Sequence, residues 1–169
     1  MYLSLIHIQN YKGNKNLKVN FNKDINIIIG ENGSGKTALI DAIRLFYNLG
    51  NLQKELYVTV DDFYLGESVI TISYEFRNLT IDQKGAFYEY LVLGETEEKD
   101  FARITISYKK EKQKVLSNYF TGEVEGQRAD SATFQYFIHD YLGAFQPQQL
   151  CTYQTSNFGI LENSVQREK

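Results

Sequence analysis

Residues 30–37 read Gly-Glu-Asn-Gly-Ser-Gly-Lys-Thr and satisfy the pattern G-x-x-x-x-G-K-[ST] at every position. Few sequence features restrict a fold more, because this loop works only between a buried strand and the start of a helix. Both flanks carry the required periodicity. Residues 25–29, Ile-Asn-Ile-Ile-Ile, are almost entirely β-branched and apolar, which predicts a strand buried on both faces of a sheet. Beyond the loop, Leu39, Ile40, Ile43, Phe46 and Tyr47 recur at helical spacing, and Gly50 marks the end.

The chemistry of such a loop follows from its residue types. Glycines at Gly33 and Gly35 let successive backbone N–H groups turn inward as a nest for an anion, and the helix that follows adds the positive end of its dipole. Lys36 supplies a point charge for β and γ phosphates, and the Thr37 hydroxyl is placed to ligate Mg2+. The expected ligand is therefore a nucleoside triphosphate such as ATP with Mg2+, held by Asn32, Gly33, Ser34, Gly35, Lys36, Thr37 and Ala38.

Around this unit the chain reads as strands. Tyr2, Ser4, Ile6 and Ile8 alternate with Leu3 and Leu5, a turn follows at residues 12–14, and Leu17, Val19 and Phe21 form a second alternating run. Residues 51–68 have no period and read as a surface excursion. Ile70, Ile72, Tyr74 and Phe76 predict a half-buried strand, as do Ala102, Ile104, Ile106 and Tyr108, and a further strand runs from Val115 to Phe120. Between the last two, Lys109 to Lys114 reads as a polar hairpin tip. A helix is expected over 81–93, begun by Thr80 or Asp82 and closed by Gly94, then a solvated acidic loop over 95–100. A last helix, capped by Asp130, takes in Phe134, Phe137, Ile138, Tyr141 and Leu142.

Composition narrows the class further. With 169 residues, 43% of them hydrophobic, the chain can build its own core. A net charge of -3 argues against a dedicated basic nucleic-acid module. No apolar run approaches the roughly 18 residues of a membrane span, and the first dozen residues lack the features of a signal peptide, so the expectation is a cytoplasmic protein with no membrane partner. The single Cys151 excludes an internal disulfide framework and reads as a small buried hydrophobe; His7 and His139 read as structural. Tyr88, Tyr90, Tyr108 and Tyr119 read as strand-packing aromatics rather than base-stacking ones, and the Lys109–Lys114 cluster as a solvated edge with a secondary possibility of DNA contact.

Ile8, Asn10, Tyr11 and Lys12, followed by the stretch from Asn26 to Ile43, resemble the N-terminal half of an ABC-class ATPase head of the RecF/SMC type. Asp61-Asp62-Phe63, Gly66, the strand from Val69 to Phe76, Asn78-Leu79 and a helix bearing Phe87 and Leu91 are similar to the OLD (overcoming lysogenisation defect) family of ATP-dependent endonucleases. The resemblance implies an α/β fold, the N-terminal lobe of a P-loop ATPase over residues 1–169, with a mixed sheet of antiparallel strands around the P-loop strand and flanking helices. It also implies that Lys12 lies near the nucleotide, that a C-terminal ATPase lobe or nuclease domain is a partner, and that heads pair as a homodimer or larger assembly with access to DNA, in phage defence or repair.

Departures from the family pattern bear on activity. An ABC-type head needs a Walker B strand, and Val58-Thr59-Val60-Asp61-Asp62 only imitates one, too close behind the loop. Gln146, Gln148, Gln149 and Gln154 are candidates for a metal-sensing glutamine, with no spacing rule to choose among them. No catalytic residue is assigned. Two rival readings stand beside the ATPase lobe. One is a self-sufficient small P-loop enzyme of the kinase kind, disfavoured by two strands before the loop and only five Arg; the other is a non-catalytic, nucleotide-regulated binding module. A GTPase is disfavoured because Asn22-Lys23-Asp24 precedes the loop.

Overall fold

A computed structural model describes residues 1–50, 56–88, 91–96, 99–122, 134, 137 and 141. The chain divides into two compact units, Met1–His139 and Asp140–Lys169; of the second only Tyr141 is described, partly exposed. The expected helix capped by Asp130, together with Gln146, Gln148, Gln149, Gln154, Tyr90, His139 and Cys151, lies outside the described residues, apart from Phe134, Phe137 and Tyr141.

The first unit is built on a six-stranded antiparallel sheet. In chain order its strands are β1 (Tyr2–Tyr11), β2 (Asn14–Asn20), β3 (Val69–Arg77), β4 (Leu91–Val92), β5 (Phe101–Glu111) and β6 (Lys114–Thr121). In space the order is β2-β1-β3-β5, with β5 shared on its far side between β4 at its start and β6 along the rest. Period-two patterning fixes the register. Ile8 stands opposite Ile72, Ile72 opposite Ile106, and Tyr74 opposite Ile104, so one row of β-branched and aromatic side chains runs across three strands. Ile6, Ile8, Ile70, Ile72, Tyr74, Phe76, Ile104 and Ile106 are all buried.

Helix α1 (Lys36–Tyr47) covers this face with Ala38, Leu39, Ala42, Leu45 and Phe46. The buried stripe is rotated from the one expected: Ile40 is only partly buried, and the small Ala42 and Ala38 permit a close approach to the sheet. Phe46 anchors the far end, its ring 4.8–5.1 Å from Tyr47, Tyr74, Phe76 and Phe137. Tyr74 donates its hydroxyl hydrogen to the Ala42 carbonyl at 2.6 Å, satisfying a fully buried polar group and riveting strand to helix. Burial pushes the Tyr74 hydroxyl well above the ordinary phenol range, so it stays a donor at any workable pH.

Three expectations are corrected. Residues 25–29 are not a buried strand: the segment is extended but pairs with nothing among the described residues, and Ile25, Ile27 and Ile29 are 84%, 79% and 88% exposed. Both edges of β1 are taken by β2 and β3, so the run does not enter the sheet beside β1. The helix expected over 81–93 stops after one and a half turns as α2 (Ile81–Ala86). Its start is as expected, with Thr80 and Gln83 closing a capping box, but Leu91 and Val92 pair with Ala102 and Phe101 of β5 instead of continuing the helix. In the excursion over 51–68, residues 60–62 form a single 3-10 turn, capped by Thr59 and Asp62, in keeping with a segment that only imitates a Walker B strand. Finally, Asp100 is not a solvated acid. It is buried, ion-paired with Lys84 at 2.8 Å, and accepts the Gly94 N–H at 2.9 Å. The bond from Lys84, then that from Gly94, holds its carboxyl below the ordinary value.

Candidate phosphate-binding site

Two pieces of chain meet at the start of α1. The first is the glycine loop. Gly33 and Gly35 both have positive φ, 81° and 89°, a conformation that favours glycine and turns the backbone back on itself before the helix begins. Ser34 N–H bonds to the Glu31 carbonyl at 3.2 Å, and a Cβ on Gly30 would fall 2.7 Å from Ser34 Oγ. Gly35 is the N-cap of α1 and offers no side-chain acceptor, so no cap occupies the first N–H groups of the helix. A 12-residue helix with an uncapped N-terminus and no acidic residue in its first turn presents donors and positive dipole to whatever anion arrives.

Lys36 curls into the same loop. Its ammonium donates to the Gly30 carbonyl at 2.7 Å, the Glu31 carbonyl at 2.5 Å and Ser34 Oγ at 3.3 Å. All three donors of the ammonium are thus held by loop atoms, at the place where a phosphate would otherwise receive them. Thr37 is exposed on the first turn, as is Asn32 in the loop, whereas the Ala38 side chain is buried in the core and can offer only its backbone.

The second piece is the turn between β1 and β2. Asn10 and Lys12 both have positive φ, 59° and 51°, a conformation that costs a non-glycine residue about 1–2 kcal/mol. The surroundings hold it there. Lys12 N–H bonds to the Asp62 carbonyl at 2.6 Å, Tyr64 N–H to the Asn10 carbonyl at 2.9 Å, and Asn10 Nδ2 to the Val69 carbonyl at 3.1 Å. The side chain of Lys12 reaches α1, where its ammonium lies 2.6 Å from Asp41 Oδ2. Asp41 follows Thr37 by one helical turn and so shares its face. Tyr11, buried beside this pair, has its hydroxyl pushed up by burial and by the charges of Asp62 and Asp41.

Gly35, Lys36 and Thr37 thus stand at the start of α1, and Lys12 is tied to the same helix further along, at Asp41. Two further residues of this corner, Asp41 and Asn14, were not legible as site residues. An acid inside an apolar helix stripe, four residues after the motif threonine, is a signal that could have found Asp41. Asp62, the acid that would close a Walker B strand, does not serve that role here. Its carboxylate accepts the Thr59 N–H and hydroxyl at 2.8 and 3.0 Å. In the basic hairpin, Lys110 folds over the Phe63 ring and Lys109 pairs with Glu111 at 3.2 Å, so the cluster is partly spent within the fold. His7 bonds to Asn16 at 2.6 Å, and Tyr108 and Tyr119 pack as strand aromatics, whereas Tyr88 is exposed.

Among the described residues no group of three or more His, Cys, Asp or Glu could hold a metal by itself. Among the same residues no helix is long and apolar enough to cross a membrane.

The sequence model of the AAA ATPase domain matches residues 1–158. Over 47 residues, 28% of the chain, the sequence is 45% identical to the DNA replication and repair protein RecF of Rickettsia conorii (strain ATCC VR-613 / Malish 7), and to the same protein of Rickettsia felis (strain ATCC VR-1525 / URRWXCal2). The match spans 13% of the length of these relatives. Two solved structures share the fold. One, from work on ATP-driven dimerization and DNA-stimulated activation of SMC ATPases, has a TM-score of 0.51 at 20% identity, covering 79% of this chain and 75% of that one. The other, an Smc head bound to the C-winged helix domain of ScpA, has a TM-score of 0.50 at 17% identity, covering 79% and 38%. The fold is thus the P-loop ATPase fold of SMC-like heads, its antiparallel sheet flanked by helices.

Proposed function

Because the chain belongs to the AAA ATPase domain family, we propose that its glycine loop binds ATP with Mg2+ and that the domain works as the nucleotide-binding lobe of a RecF/SMC-like head over residues 1–169. The observation that carries this reading is the uncapped, glycine-led start of α1 with Lys36 coiled into it. Lys36 leaves the Gly30 and Glu31 carbonyls for phosphate oxygens. The N–H groups from Gly33 to Ala38 line the anion, and Asn32 and Ser34 complete the rim. Lys12, fixed by Asp41, holds a second positive charge on the Thr37 face. The Thr37 hydroxyl would hold Mg2+, which offsets phosphate charge.

Binding without rapid hydrolysis is the expected behaviour of this chain alone. An attacking water needs an orienting carboxylate near the γ-phosphate, and the nearest sequence candidate, Asp62, is committed to its own turn. The missing groups are proposed to come from a C-terminal lobe and from a second head, with ATP drawing two heads together. The exposed Ile25, Ile27 and Ile29 support that proposal, since they present an apolar face of an extended segment with no cover among the described residues. The resemblance to the OLD family adds a finer proposal: that this nucleotide cycle gates nucleic-acid cleavage or processing carried out elsewhere in the assembly, in defence or repair.

Titration of the chain with MgATP tests the central reading. Lys36→Ala removes the main cationic contact and should weaken binding by about 1.5–3 kcal/mol, the range for charged hydrogen bonds. Superimposable titration curves for the two proteins would refute it.

A further inference from the structure

Asn14, the first residue of β2, carries a buried side-chain amide nitrogen with no hydrogen-bond partner. Buried donors are almost always satisfied, so an orphan at a ligand site calls for an acceptor that arrives later. Its position identifies the site. The amide packs directly on Gly35, the N-cap of α1: a Cβ built on that glycine would meet Asn14 Oδ1 at 3.0 Å and Nδ2 at 3.3 Å. The neighbouring asparagines are engaged elsewhere: Asn16 accepts from His7, and Asn10 donates to the Val69 carbonyl.

We infer that Asn14 is a further nucleotide-contacting residue, whose side-chain amide donates to a phosphate oxygen of the bound nucleotide; this rests on the loop's assignment to nucleotide. Within the loop the carbonyls of Gly30 and Glu31 accept from Lys36, and the amide nitrogen has no acceptor. A phosphate that draws Lys36 away places oxygens against the Gly35 backbone, within reach of the amide stacked on it. The placement of Asn14 is settled beforehand. Lys12, two residues earlier, is tied through its N–H to Asp62 and through its ammonium to Asp41, so the turn carrying Asn14 does not have to be ordered by the ligand.

The experiment uses the full chain, titrated with MgATP and separately with magnesium tripolyphosphate, alongside melting of the ligand-free protein. Asn14→Leu keeps the size and removes the donor; it should melt at or above the wild-type temperature and bind both ligands about tenfold more weakly. Asn14→Asp places a negative charge at the same point and should bind both more weakly still. Lys36→Ala is the control. If wild type and Lys36→Ala bind neither ligand, the nucleotide reading itself fails, and this inference with it. If Lys36→Ala loses binding while Asn14→Leu does not, Asn14 is only a strut for the loop and the inference is overturned with the nucleotide reading intact. A loss confined to MgATP, with tripolyphosphate binding unchanged, overturns the assignment to phosphate.

Discussion

Shortening Ile27 to alanine asks whether the apolar segment before the glycine loop contributes to the stability of this chain. Ile27 is 79% exposed, so about a fifth of its side chain is withdrawn from water. Full burial of an isoleucine is worth about 2–3 kcal/mol, which puts the loss at about 0.5 kcal/mol. The matched control is Ile72→Ala. Ile72 is 0% exposed and sits in the middle strand of the sheet, where removing the same atoms also leaves a cavity and costs about 2–5 kcal/mol. Urea unfolding followed by circular dichroism separates the two. With a slope of about 2 kcal/mol per molar, Ile27→Ala should move the midpoint by about 0.25 M and Ile72→Ala by about 1–2.5 M, with the slope unchanged. A loss for Ile27→Ala equal to that for Ile72→Ala would refute the reasoning, because it would mean that the segment is buried within this chain after all. If a second lobe covers the segment, the same substitution becomes costly only when that lobe is supplied, and a pull-down of the two pieces should report it.

Other consequences follow from the same geometry. Tyr74→Phe deletes the 2.6 Å bond to the Ala42 carbonyl and should destabilise the chain by about 1 kcal/mol in the same urea assay. Gly35→Ala forces a side chain into φ 89° against Asn14, and a calorimetric titration should find MgATP binding reduced at least tenfold. The Asp100 carboxyl is lowered in the fold, so its contribution is present above the ordinary carboxyl value of 3.8 and drains away as pH falls through the lowered one. Asp100→Asn should therefore lower the melting temperature at pH 7 and lose its difference from wild type in strong acid. Purified chain alone should turn over ATP well below about 1 per second in a phosphate-release assay, and rates above that would contradict the assignment of Asp62 to its own turn.

The parts of the fold that could be read in the sequence are those where a single local rule decides. Ile70, Ile72, Tyr74 and Phe76 alternate because one sheet face is buried and the other is not, and Ala102 to Tyr108 obey the same rule. Thr80 and Gln83 mark a helix start through their own hydrogen bonds. What escaped depends on distant partners. The run at 25–29 has the composition of a central strand, but composition does not say which strands flank it. Leu91 and Val92 fit a helix continuing from Ile81 until the edge of β5 claims them. Asp100 looks like one more surface acid until Lys84 and the Gly94 N–H are brought beside it. In the phosphate site the motif residues were legible from spacing alone, whereas Asn14 and Asp41 were not, because their roles arise only when the β1–β2 turn folds onto α1.

Helix α1 is held by different means at its two ends. At its C-terminal end Phe46 is clamped among aromatic rings and Tyr74 grips the Ala42 carbonyl; at its N-terminal end no side chain caps the first turn. Phe46 lies ten residues from Lys36, about 15 Å along the axis. Mechanically this is a beam bedded in the sheet along one side and loaded at its tip. A load applied there passes to the central strands along the whole buried face of the helix, Ala38, Leu39, Ala42, Leu45 and Phe46, and through the Tyr74–Ala42 bond.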